Sequence, residues 1–425
     1  MIQKKMIRIS KKQIIDYGFT FGVEFMVMAA SIILFKIVGS KFEQIGFAEY
    51  SVSKRFIGFI QPLLVFGMGV SLPKFIALEE TTNGKKQIQY TAQILLTIIF
   101  ISSLIISILF GKYISKLVFG SYDEGLLILS CLTYFFSLMI HTCVYNYFRG
   151  SGNYKLSSLM QFINLAVLPL IVYFIAQSIM SFYLWLALFT FLFAMIVQVI
   201  VIGGVAISIN RVKSISNSFV KYGSKRVWGD VVFALFSSVP AFIAANLFSL
   251  TEAGTVAFCI SLLNIIIAVM SPVNIILLPE AAKIVQQHDY VKLKSITQKM
   301  SLVSFLLGIS SFVAVWLFGR QLLHIFNVKD IDTAKVYLLI IFSSVIGFSF
   351  YSVIRSIIDA YYPTARNGRN VIFSFAFFLL LFAICKYFEQ NSIQMLLICF
   401  SAGLNLLGVL TYFSVRKIFD IHLKQ

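Results

Sequence analysis

The chain reads as a succession of long apolar runs separated by short polar breaks. The runs lie near 14–38, 45–70, 91–111, 125–148, 157–178, 181–209, 229–250, 254–278, 301–318, 334–358, 370–387 and 393–415. Most approach or exceed the roughly 20 residues that an α-helix needs to cross about 30 Å of hydrocarbon. No break between runs exceeds about 20 residues, too little for a separate soluble catalytic domain beside spans of that length. The pattern predicts an all-α polytopic membrane protein of about 12 transmembrane helices.

Composition strengthens that reading. Of the 425 residues, 59% are hydrophobic and 12% charged, and the mean hydropathy is +0.90. A soluble domain carries about 25% charged residues, so half the usual charge leaves a water-facing surface uncovered. The first residues, Met1 to Gln13, hold Lys4, Lys5, Arg8, Lys11 and Lys12 ahead of a full-length apolar run without a small-residue cleavage site. That start is expected to be an uncleaved first span rather than a signal peptide.

The formal net charge is +18. In a soluble chain it would suggest nucleic acid; here its placement explains it better. Lysine and arginine concentrate in the N-terminal tail and in the even-numbered connections, as they do in cytoplasmic loops. Both termini are therefore expected in the cytoplasm, with an even number of spans and no nucleic-acid partner. The five cysteines, Cys131, Cys143, Cys259, Cys385 and Cys399, all fall in apolar runs without a CxxC pair, and the four histidines show no metal-ligand spacing. They argue against a disulfide framework or a metal site.

The longest basic connection lies in the middle, with Arg211, Lys213, Lys221, Lys225 and Arg226. It divides the chain into an N-terminal six-helix half (1–209), a basic cytoplasmic linker and hinge (210–228) and a C-terminal six-helix half (229–425). The halves resemble each other. Leu72-Pro73 is matched by Leu278-Pro279, and Tyr145 and Arg149 by Tyr351 and Arg355, each 206 positions on. Leu109-Phe110-Gly111-Lys112 is matched by Leu317-Phe318-Gly319-Arg320, and both are followed by acidic pairs, Asp123-Glu124 and Asp330 with Asp332. Six spans return the chain to its starting side, so the halves share one orientation and form two pseudo-symmetric bundles about an axis along the membrane normal. Parallel repeats of this kind build transporters that hold substrate near the midplane.

Ionisable groups inside spans narrow the chemistry. A lysine or arginine near a helix centre costs about 2.5–3.5 kcal/mol by insertion scales, so it faces a cavity or a partner. Lys54 and Arg55 lie in the second run, on a stripe with Ser51, Gly58, Gln61 and Pro62. They either line a cavity or snorkel to the outer interface. Arg149 and Arg355 end even-numbered runs at the cytoplasmic face. They either set topology, Arg355 pairing with Asp359, or meet an anionic head group through their bidentate forks. Glu24, in the first run with no basic residue three or four positions away, is either a proton or sodium site or the counter-ion of Lys54 or Arg55. Pro62, Pro169, Pro240 and Pro272 are expected to kink their helices. Ser237, Ser238, Asn246, Ser261, Asn264 and Asn274 cluster near two of them, lining a wet cavity or bonding helix to helix.

At these residues a family likeness emerges. GFAEYSVSKRFIGFIQPLLVFGMGVSLPKFIA (46–77) resembles the second-span signature of the O-antigen and polysaccharide flippases, and YNYFRGSGNYKLSS (145–158) is similar to the segment after their fourth span. These flippases belong to the multidrug/oligosaccharidyl-lipid/polysaccharide (MOP) exporter superfamily, whose fold is MATE-like. The resemblance implies a monomeric carrier in the bacterial inner (plasma) membrane. It would move undecaprenyl-diphosphate-linked oligosaccharide from the cytoplasmic to the periplasmic leaflet by alternating access, needing no cofactor beyond coupling to a proton or sodium. Its partners would be the lipid-linked oligosaccharide, membrane lipids and a polysaccharide polymerase. Lys54 and Arg55 match the family's basic second-span position and Arg149 its fourth-span arginine; Glu24 matches a coupling carboxylate by position only.

No nucleophile or acid–base pair stands out, and none is needed for flipping, so no catalytic residue is expected. The nearest rival is a cation-coupled multidrug exporter of the same superfamily, which would present carboxylates to cationic drugs. A membrane polysaccharide polymerase or glycosyltransferase is the different-class rival. Asp330-Ile-Asp332 resembles its DxD motif, but an acidic turn shared by both halves explains that pair better.

Overall fold

Apolar runs bounded by short polar breaks fold as helices, because only a helix satisfies its own backbone hydrogen bonds away from water. The computed structural model describes residues 11–206, 208–269, 271–362, 366–389 and 391–422, without the side chains of 11–17, 225, 226, 271–276 and 279. Almost all the described residues are helical, and none lies in a strand. Span 1 is Lys11–Lys41, span 2 the pair Glu43–Val65 and Met68–Leu78, span 3 Thr82–Phe119 and span 4 Gly125–Gly150. Span 5 is Tyr154–Ile175 and span 6 Ile179–Ile202. Span 7 is Ile209–Leu247, span 8 Leu250–Ala268, continued by Ser271–Gln286, and span 9 Tyr290–Ile325. Span 10 is the pair Ile331–Phe342 and Val345–Tyr361, span 11 Arg366–Tyr387 and span 12 Ile393–His422. Ten single helices are long and apolar enough to cross a bilayer, and the two bent pairs bring the count among the described residues to 12.

The breaks have local causes. Span 2 bends by 43° three to five residues after Pro62, where Phe66 and Gly67 adopt left-handed φ values of 50° and 71°. Glycine takes that conformation without steric cost. Span 10 bends by 42° at Ser343 and Ser344, whose hydroxyls donate to the carbonyls of Ile340 (2.7 Å) and Ile341 (2.6 Å). Such bonds compete with the helical ladder. In span 8 the first helix ends at Ala268, just ahead of Pro272. In span 5 a π-helical turn, Ile163–Val167, precedes Pro169. Pro240 lies inside the continuous helix of span 7.

The stretch 210–228 is helical and forms the first part of span 7. It contains no proline, and Phe219 and Val227 are buried, so the basic linker runs directly into the span.

Packing divides the chain into two compact units. The first holds the chain up to Phe35, Leu64–Ile108 and Leu129–Gly223; the second holds Lys36–Leu63, Leu109–Ile128 and the chain from Ser224 onward. The second unit thus joins pieces of the first half in sequence to the whole of spans 8 to 12. Its core includes stacked and edge-on rings of Phe236, Phe378 and Phe400. An aliphatic cluster in the same unit includes Leu277, Leu293, Ile354, Ile357 and Ile418. In the first unit, Gln93 of span 3 and Gln198 of span 6 exchange amide hydrogen bonds, one of them 3.1 Å. Many large apolar side chains on spans 3, 6 and 9 are exposed, as expected of surfaces solvated by lipid.

Candidate functional site

Span 2 carries the most buried cation among the candidates. Arg55 is 8% exposed. Within the second unit its Nε donates to the carbonyl of Ala257 at 3.3 Å and its guanidinium donates to the Ser261 hydroxyl, both on span 8. From span 7, the Ser238 hydroxyl donates to the backbone carbonyl of Arg55 at 3.0 Å. No carboxylate pairs with Arg55 among the described residues. Lys54, its neighbour, is half-buried, while Gly58 and Gln61 are exposed. The stripe read from the sequence therefore splits, with Ser51 and Arg55, one turn apart, on the packed face.

The approach of span 8 to span 2 requires small residues. A Cβ on Gly254 would fall 2.4 Å from the Cα of Ala48, well inside contact distance. Next to it Phe47 meets Phe258 edge-on at 5.3 Å, and Phe258 meets Phe326 at 4.9 Å. Beyond these rings opens a polar cavity of about 660 Å³ lined by Ser40, Glu43, Thr251, Glu252, Asn327 and Tyr337, among others.

Two further constellations sit one in each unit. In the first, the Gln161 amide of span 5 donates to the Glu24 carboxylate of span 1 at 3.0 Å. Tyr145 and Arg149 of span 4 lie within electrostatic reach of Glu24. Thr20 and Ser158 bond at 2.9 Å beside them in sequence, and the His141 ring stacks on Tyr145. In the second unit, Arg355 of span 10, Asp359 and Asp230 of span 7 all lie within electrostatic reach of Tyr351 of span 10. The Asn367 amide of span 11 donates to the Arg355 carbonyl at 2.8 Å and to the Asp359 carboxylate at 2.7 Å.

These two sets are the same pattern twice. Glu24 and Asp230, Tyr145 and Tyr351, Arg149 and Arg355, and Gln161 and Asn367 are each 206 positions apart, the separation that also relates Arg55 to Ser261. The sequence reading found the Tyr and Arg pairs and named Ser261 as a polar residue of span 8 without pairing it to Arg55, but missed Asp230, Gln161 and Asn367. Applying the repeat offset to Glu24 and Arg55 would have found Asp230 and Ser261. At the Asp359 carboxylate, where the sequence reading considered Arg355, the Asn367 amide donates at 2.7 Å.

Other sequence candidates have structural roles. Asp330 caps span 10 by accepting from the Thr333 amide at 3.1 Å, and hydrogen bonds from Thr333 hold its carboxyl below the ordinary carboxylate value. Asp332 pairs with Arg320. The DxD-like motif is thus a helix start. Ser238, Ser261 and Asn246 are all engaged in helix-to-helix bonds, Asn246 reaching the Leu117 carbonyl at 2.8 Å; Asn274 lies outside the described side chains. Among the described residues no three His, Cys, Asp or Glu side chains converge as a metal site would need.

With this geometry in place, comparison with known proteins defines the fold class. The MatE family model matches residues 229–385, within spans 7 to 11. Among solved structures, the chain is similar to an inward-facing multidrug resistance MATE family transporter of the MOP superfamily. Their identity is 13%, the match covers 96% of this chain and 99% of that one, and the TM-score is 0.77. It is similar to lipid II flippase MurJ in an inward closed conformation, at 13% identity, 95% and 87% coverage and a TM-score of 0.73. It is also similar to a MOP superfamily transporter from Pyrococcus furiosus described by a binding pocket of reverse polarity, at 15% identity, 97% and 95% coverage and a TM-score of 0.65. No curated protein matches the chain. The fold is the multi-pass helical architecture seen in these MATE-type structures.

Proposed function

We propose that the chain is a flippase for undecaprenyl-diphosphate-linked oligosaccharide, an O-antigen or related polysaccharide unit. It works in the bacterial plasma membrane with both termini cytoplasmic, by alternating access and without a covalent step. A sugar-diphosphate head carries many hydroxyls and about two negative charges, and its transfer through hydrocarbon needs replacement hydrogen bonds and countercharge. Lys54, Arg55, Arg149 and Arg355 supply the countercharge. The observation that carries the reading is Arg55, a buried guanidinium whose described side-chain partners are neutral. A phosphoryl oxygen is a better acceptor for it than either. The similarity to a lipid II flippase supports a lipid-linked substrate.

The test is leaflet accessibility of lipid-linked oligosaccharide in cells. Lys54→Ala with Arg55→Ala should leave the protein inserted and strand the oligosaccharide on the cytoplasmic side. Normal periplasmic delivery by that inserted double variant overturns the assignment.

Coupling to a proton or sodium is assigned to Glu24, the first-span carboxylate held by Gln161. Glu24→Gln should lower transport several-fold and flatten its pH dependence. An unchanged pH response would leave Glu24 a structural acceptor. A second reading, a multidrug exporter, draws on the carboxylates Glu24, Asp230 and Asp359, which suit cationic ligands. Efflux of cationic dyes by the wild type, abolished by Glu24→Gln and untouched by the Lys54/Arg55 double variant, would favour it.

A further inference from the structure

Contacts between a residue and its own repeat equivalent lie on the axis that relates the repeats, and the second unit contains two of them. Ala48 touches Gly254, and seven residues further along span 2 Arg55 touches Ser261; both pairs are 206 positions apart. Spans 2 and 8 are thus closed along the pseudo-two-fold axis by one tight contact of small residues and one hydrogen-bonded guanidinium. The two closures differ in kind. Ala48 and Gly254 hold by dispersion alone, a contact with no directional bond. Arg55 holds by direction, through neutral acceptors, in a setting from which water is largely excluded.

A guanidinium presents five donors in a planar fork and prefers a bidentate anion to a hydroxyl and a carbonyl. Its present partners satisfy it without matching that preference. On the flippase reading, on which this inference rests, an arriving diphosphate would compete for the same donors that tie span 2 to span 8.

We propose that Arg55 is a ligand-exchangeable clasp and Ser261 its positioning residue. Phosphoryl oxygens take Arg55 from Ser261 and the Ala257 carbonyl, so recognition of the anion and parting of spans 2 and 8 are one exchange of hydrogen bonds. The clasp also sets specificity: a ligand that brings no anion leaves spans 2 and 8 tied. Ser238 keeps the Arg55 backbone anchored to span 7 during the exchange, because its bond is to the carbonyl and not to the guanidinium. The Phe47, Phe258 and Phe326 rings and the polar cavity beyond them lie on the path that parting would open.

The test uses the full-length protein in liposomes, with Ser51→Cys as a reporter. Ser51 is buried one turn from Arg55, and its labelling by a charged, membrane-impermeant maleimide reports parting of the helices. Cys385, the only half-exposed native thiol among the described residues, is replaced by serine. The probes are farnesyl diphosphate, inorganic pyrophosphate and farnesol, which separate a lipid head group from a free anion and from the bare chain. Farnesyl diphosphate should speed labelling about tenfold, the scale of one charge-assisted hydrogen bond, and farnesol should not. An equal response to pyrophosphate identifies the anion alone as the trigger, and a response only to the lipid form adds the chain; both support the clasp. Ser261→Ala should label faster without any probe. Ser261→Asp, which gives Arg55 a carboxylate, should suppress the response to farnesyl diphosphate by about the same factor.

Two results overturn the clasp: Ser261→Asp responding like the parent, or Ser261→Ala labelling at the parental rate with and without probe. If no anion binds any variant while Ser261→Ala still labels faster, the flippase reading fails and Arg55 remains a closure of spans 2 and 8. Arg55→Lys, which keeps the charge without the fork, should lose most of the response to farnesyl diphosphate; a parental response from it also counts against the exchange.

Discussion

The two repeat-related constellations place the same four residue types in unlike surroundings. In the first unit Arg149 is exposed, with one carboxylate, Glu24, near it. In the second unit Arg355 is half-buried and shares the electrostatic surroundings of Tyr351 with two carboxylates, Asp230 and Asp359. The departure is traceable to a few positions. Where the second half has Ser356, Ile357 and Ile358, the first has Gly150, Ser151 and Gly152. Span 4 therefore stops at Gly150, where a Cβ would meet Ile76 at 2.8 Å, and Gly152 turns with φ 78°. Span 10 runs on through Asp359 to Tyr361. Asn153, the counterpart of Asp359, lies beyond the break and caps the next helix, accepting from the Leu156 amide at 3.3 Å. One chemical pattern thus becomes an accessible, charge-balanced set in one unit and an internally braced, acid-rich set in the other.

The strongest way to break that comparison is to remove the brace. Asn367→Ala deletes two hydrogen bonds, one to a carboxylate, and should destabilise the protein by about 2–3 kcal/mol. The equivalent Gln161→Ala deletes one bond from a half-buried amide and should cost about 1 kcal/mol. Thermal unfolding of both variants in the same detergent measures the difference; equal losses would mean the second set is no better braced than the first.

A finer change converts one set toward the other. Asp359→Asn installs the residue type found at Asn153 and removes one negative charge near Arg355. Farnesyl diphosphate should then bind about two- to fivefold more tightly, the scale of one partly screened charge. Isothermal titration of the purified protein decides it, and unchanged affinity would remove Asp359 as a shield of Arg355.

The smallest effect concerns an ion pair with no counterpart in the second half, since the equivalent of Glu79 is Val285. Glu79 accepts from the hydroxyl of Thr81 at 2.7 Å and its amide at 3.2 Å, and pairs with Arg211 at 3.1 Å. The Thr81 bonds first, and Arg211 after them, hold its carboxyl below its ordinary value. A carboxyl lowered in the folded state contributes stability above its unfolded value and loses it as pH falls through the folded one. Glu79→Ala should therefore cost at most about 0.5 kcal/mol at neutral pH, because the pair is partly exposed and solvent-screened, and nothing once both states are protonated. Unfolding midpoints at neutral and strongly acidic pH check the sign.

Much of this architecture could be read along the chain. The twelve apolar runs anticipated the spans because lipid solvation demands contiguous apolar length, a local property of sequence. The repeat offset was visible in Leu72-Pro73, Tyr145 and Arg149. Asp230 was also within reach of that offset, 206 positions after Glu24.

What the chain could not reveal alone is where its cations point and which helices touch. Lys54 and Arg55 are neighbours of like chemistry, yet one is half-buried and the other clasped to span 8. Gly254 reads as any glycine in an apolar run until Ala48 of a distant span is found against it. Helix formation depends on neighbours within a few residues. Contacts between Arg55 and Ser261, or Gly254 and Ala48, depend on close packing of surfaces two hundred residues apart, and only the folded arrangement settles them.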